Sequence, residues 1–165
     1  MLARRSFIAV LMAQAGLAAC SPPATPATPR SPDVKTDLQQ LARLVRLPAP
    51  AVKAQWETAP LAHSSAPGPE DWQLWAVMDI GAAARQQLLE ASPAQTGAEW
   101  QFPASLSRPW FPDALKARLE TQADGSVRLR DAPRDAAAFH SPPLLQGFWL
   151  PFGDGGELLL VLQTR

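Results

Sequence analysis

Side chains able to do chemistry are few and scattered along this 165-residue chain. His63 stands beside Ser64 and Ser65, a base next to two hydroxyls, which are the ingredients of nucleophilic catalysis. Adjacent side chains rarely point at one another, the stretch lies among prolines, and no G-x-S-x-G elbow accompanies it. His140 with Asp131 or Asp135 would supply metal donors, yet the two histidines are far apart and show neither H-x-x-x-H nor H-x-H spacing. Glu70-Asp71, and Asp131 with Asp135, pair carboxylates as a glycosidase would. In such turn-rich stretches they read better as turn and cap residues. Asp154-Gly155-Gly156 is too short to cradle a phosphate and reads as a turn. The sequence therefore predicts no catalytic set, no metal site and no cofactor. What it does offer is a group of rings, Trp100, Phe102, Trp110 and Phe111, in proline-rich irregular stretches. They form a candidate ligand surface that would stack on a sugar face or a partner protein, set against the simpler reading of an aromatic lid over a sheet.

The one reactive group with a clear context is the sole cysteine, Cys20. Arg4 and Arg5 precede an apolar run from Phe7 to Leu17, interrupted by Gln14 and Gly16, and small residues lead to the cysteine. The run is shorter than the roughly 20 residues that cross a hydrocarbon core. Leu17-Ala18-Ala19-Cys20 resembles the lipobox of bacterial lipoprotein signal peptides: Leu, two small residues, then Cys. That resemblance implies cleavage between Ala19 and Cys20, acylation of the Cys20 thiol and a lasting hold on the membrane, since each buried methylene contributes about 0.8 kcal/mol. In the resembled proteins the next residue helps sort the anchor, and Ser21, not Asp, favours the outer membrane with the domain facing the periplasm. Arg4-Arg5-Ser6-Phe7-Ile8 is also similar to a twin-arginine export motif, with Ala9 where Lys is usual. Both export routes stay open.

Composition narrows the rest. Without Arg4 and Arg5 the chain carries 13 basic against 15 acidic residues, which gives no electrostatic case for nucleic acid. With Cys20 acylated no thiol remains for a disulfide, so packing has to hold the fold. Six Trp, six Phe and no Tyr point first to a ring-rich core.

Ser21 to Asp33 holds five prolines among Ala, Thr and Ser and reads as an extended tether. At about 3.1 Å per residue it spans roughly 40 Å. Residues 34–165 then form one expected domain. Val34, Leu38, Leu41 and Val45 at helical spacing predict a first helix, capped by Asp33 and stopped by Pro48. Ala51 to Thr58 alternates as a half-exposed strand, and Trp72 to Ile80 is apolar on both faces, as a central strand would be. Gly81 to Ala91 predicts a helix packing through Ala84, Leu88 and Leu89. Pro112 and Asp113 open a short helix, Ser126 to Arg130 reads as an edge strand, and Pro133 to Phe139 as a helical turn. Gln146 to Phe152 and Glu157 to Thr164 flank a glycine-rich turn as a hairpin, the second strand central and the first at an edge or bulged because of Pro151. The expectation is an α+β domain: about five strands in a mostly antiparallel sheet with two to four helices packed on it. Leu47-Pro48-Ala49-Pro50 followed by the Trp56 strand is similar to a pattern in small lipoproteins, and no function comes with it. The expected role is a non-catalytic envelope binding or accessory protein with a protein partner; the alternative is a peptidoglycan or glycan-binding module or weak hydrolase.

Overall fold

The computed structural model describes residues 33–61, 71–95 and 101–164. The expected signal peptide and all of the expected tether but Asp33, with Ala19 and Cys20, lie outside the described residues, as do His63, Ser64, Ser65, Glu70 and Trp100.

Five strands form one antiparallel sheet: β1 (Lys53–Pro60), β2 (Trp72–Asp79), β6 (Arg134–Asp135), β7 (Gln146–Pro151) and β8 (Glu157–Gln163), in spatial order β1-β2-β8-β7-β6. The two strands that read as apolar on both faces, β2 and β8, pair at its centre, Leu74 opposite Leu162 and Met78 opposite Leu158. A strand buried on both sides needs no polar face, and that is why their alternation is weak. Residues β3 (Gln101–Phe102), β4 (Leu119–Thr121) and β5 (Val127–Leu129) make a second sheet in the order β3-β5-β4. The fold is mixed α+β, and all described residues belong to one compact unit.

The sheet separates two apolar clusters. On one face Leu74, Ala76, Met78, Leu158, Leu160, Leu162 and Trp149 meet α1 (Leu38–Leu44) through Leu41 and α2 (Ala82–Ala91) through Leu88. Ala84 and Leu89 pack there as the helical spacing predicts. On the other face Trp75, Phe148, Leu150, Leu159 and Val161 meet the small sheet, a 3-10 turn at Ala104–Leu106 and α3 (Asp113–Lys116), through Leu106, Phe111, Leu115, Val127 and Leu129.

Several boundaries differ from the sequence expectation. The first helix begins at Leu38, not Val34, because Asp37 caps it: its Oδ1 accepts from the backbone N–H of Gln39 (2.8 Å) and Gln40 (3.0 Å). Ahead of it the chain is extended, and Lys35 exchanges two backbone hydrogen bonds with Trp56 at the open edge of β1, at 2.8 and 2.9 Å. The helix also ends at Leu44, before Pro48 is reached, with Val45 extended but still buried in the core. Val127 to Leu129 is the middle strand of the small sheet and not an edge, since β4, absent from the sequence expectation, lies on its far side. The stretch from Pro133 to Phe139 splits into β6 and a 3-10 turn at Ala137–Phe139. Pro151 fits its strand because β6 pairs only with Phe148 and Trp149 and has ended before it. The neighbouring Phe152 N–H bonds the Glu157 carbonyl of β8, so the nitrogen of Pro151 faces the unpaired side.

Candidate functional site

Strand parity places one row of side chains per cross-strand register on each face. On the face away from the long helices, the row at one end of the sheet is Gln73, Gln163 and Gln146, drawn from β2, β8 and β7. Gln73 Nε2 donates to Gln163 Oε1 at 2.9 Å, and Gln163 Nε2 lies 3.5 Å from Gln146 Oε1. The next row inward is Glu57, Trp75, Val161 and Phe148. Three amides thus edge a floor of two rings and a valine.

A roof comes from the segment leading through β3. Phe102 lies against Phe148, ring centroids 4.9 Å apart and planes tilted by 37°. Pro103, Ser105 and Leu106 continue over the floor, and the cleft between holds about 330 Å³, with Gln95 at its side. Among the described residues, four glutamines and one serine supply the side-chain hydrogen-bonding groups of its lining together with the indole of Trp75, and no Asp, Glu, His, Lys or Arg lines it.

The roof is held down by a buried acid. Glu57 is 4% exposed, although the alternation of Ala51 to Thr58 puts it in phase with Lys53 and Gln55 on the polar side of β1. Its Oε1 accepts from Arg108 Nε and its Oε2 from Trp110 Nε1 at 2.8 Å. Arg108 also lays its guanidinium over the Trp75 ring, 3.8 Å from the centroid, and donates through Nη1 to the Ser105 carbonyl. Burying a carboxylate is costly unless charge and hydrogen bonds compensate it, and here an arginine and an indole do both. This clamp fixes the segment from Ser105 to Trp110 over the sheet, and with it one wall of the cleft.

Gly147 makes the β7 side of the cleft possible. Its φ is +145°, and a Cβ there would overlap the Val161 carbonyl oxygen and lie 2.9 Å from Leu162 Cα.

Of the four rings singled out in the sequence, the three described ones have different surroundings. Phe102 lines the cleft, Trp110 is half-buried and committed to Glu57, and Phe111, 2% exposed, is a core residue in edge-on contact with Trp110 (4.8 Å). Trp100 lies outside the described residues. Of the weighed metal donors, Asp131 Oδ2 accepts from Arg118 at 2.8 Å and Asp135 Oδ1 caps the following turn through the Ala137 N–H at 2.7 Å. Among the described residues no three of His, Cys, Asp and Glu come together, and no helix is long and apolar enough to cross a membrane.

The glutamines were absent from the sequence reading, though a signal for them exists. Gln73, Gln163 and Gln146 each stand in phase with apolar residues of their own strands, where the pattern calls for another apolar group. The chain matches no protein-family model, no curated protein and no solved structure.

Proposed function

We propose that this chain is a lipid-anchored protein of the cell envelope that works by binding, as an accessory subunit for an envelope partner. Cys20 holds it to a membrane, the outer one by preference, with the domain facing the periplasm. The observation that carries the binding role is the lining of the cleft. Its described hydrogen-bonding side chains are amides, one hydroxyl and an indole, groups suited to holding a ligand. Amides facing an apolar floor suit an uncharged ligand with both donors and acceptors. A photo-crosslinking side chain at Gln146 of the membrane-held chain is expected to give one dominant adduct, and the same probe at exposed Gln40 on α1 none. Equal adduct patterns from the two positions contradict the proposal. Cys20→Ser is expected to leave the chain unlabelled by radioactive palmitate and released from the membrane fraction.

A second reading, a peptidoglycan or glycan-binding module or weak hydrolase, is favoured by the Phe102 and Phe148 rings beside the amides, an arrangement that suits a sugar face. Purified sacculi are then expected to pellet the protein, and Phe102→Ala to abolish pelleting while the fold persists. Sacculi that leave the protein in the supernatant remove this reading.

A further inference from the structure

Where β6 stops, the edge of β7 opens onto a second pocket of about 380 Å³ that shares no lining residue with the cleft. Three arginines from three elements reach it: Arg85 of α2, Arg118 just before β4, and Arg134 of β6. Each is fixed through its Nη1. Arg85 Nη1 donates to the carbonyls of Phe152 and Gly153, both at 3.1 Å, and Arg134 Nη1 to those of Leu89 (2.9 Å) and Ser92 at the end of α2. Arg118 Nη1 holds Asp131 Oδ2 at 2.8 Å. The Nε and Nη2 donors of all three have no partner among the described residues.

We propose that this pocket binds a phosphoryl group. Among the described residues the lining carries three guanidinium charges and one carboxylate, Asp131, a net of two positive charges. Neither Arg85 nor Arg134 has a carboxylate within ion-pair distance among the described residues. A phosphate monoester brings about −1.5 to −2 near neutral pH and three acceptor oxygens, which matches that surplus in charge and uses the unengaged donors. Guanidinium groups suit the role because their planar donor edges meet two oxygens at once. Anchoring at Nη1 orients those edges in advance, so less side-chain freedom is lost on binding. The phosphoryl group comes either from a soluble phosphate ester or from a lipid headgroup, and the test separates the two.

The full chain, purified in detergent micelles, is titrated with inorganic phosphate while the arginine Nε resonances are followed by NMR. Saturable shifts are expected. Arg118 holds no backbone carbonyl, so Arg118→Gln keeps the fold and is expected to weaken the affinity about tenfold, the size of one charged hydrogen bond. Asp131→Asn removes the internal competitor for Arg118 and is expected to tighten it. In a second arm, micelles doped with phosphatidic acid replace the phosphate, with undoped micelles as control. A response to the doped micelles that inorganic phosphate competes away assigns a headgroup; a response to inorganic phosphate alone assigns a soluble ester. The proposal is overturned by the absence of saturable shifts in both arms, or by affinities that neither substitution alters.

Discussion

The two faces of the five-stranded sheet are covered by different means. Towards α1 and α2, the buried side chains of β2 and β8 are Leu, Ala and Met throughout, and area alone drives the contact. Towards the small sheet, the same strands present Gln73, Gln163 and the neighbouring Glu57, and the cover is an irregular segment fastened by directional bonds to that acid. Apolar packing is indifferent to small shifts and fills its volume. Fasteners hold a cover at particular points, and the gap between the Glu57 clamp and the Phe102–Phe148 contact is the cleft. The cleft therefore lies on the face that the two long helices do not cover.

Substitutions break or sharpen this contrast in a graded way. Gly147→Ala strikes the sheet that both faces share, because its Cβ has nowhere to go against Val161. A loss on the order of 4 kcal/mol or failure to fold is expected, read from urea unfolding. Glu57→Ala strips the fastener and leaves Arg108, whose side chain is 14% exposed, beside no charge. A loss of about 3 kcal/mol is expected. The double variant Glu57→Leu with Arg108→Leu is expected to recover most of it, since no uncompensated charge remains; a double variant as unstable as the single one would mean that the clamp does more than neutralise its own charges. On the helix side, Asp37→Ala removes only the cap of α1 and is expected to cost about 1 kcal/mol. Gln163→Ala is expected to change stability by less than about 0.5 kcal/mol while removing the crosslink from Gln146. That separation of binding from stability is what a cleft edge, as opposed to a core position, predicts.

The sequence carried the helix-covered face well. Trp72 to Asp79 and Glu157 to Gln163 announce themselves by apolar groups in both phases, and the glycine-rich turn fixes the hairpin between β7 and β8. The other face was read poorly, for a physical reason. Its strands are short, β3 with two residues and β4 with three, too few for a period to show. Glu57 looks like an outward residue until Arg108 arrives from far along the chain to neutralise it. The amide row exists only through the register of three strands, which no local window contains. The rings at 102, 110 and 111 sit close in sequence and still part, one to the cleft, one to the clamp and one to the core.

The pairing of Lys35 with Trp56 moors the first described residues to the sheet. Trp56 holds them by the two backbone bonds to Lys35 and by its indole N–H, donated to the Asp37 carbonyl at 3.2 Å. The Lys35 ammonium, 5.0 Å from the ring centroid, adds a fourth attachment to the same residue. Trp56 is 1% exposed and wedged among core side chains, so the entry of the chain is fastened to the middle of the core as well as to α1.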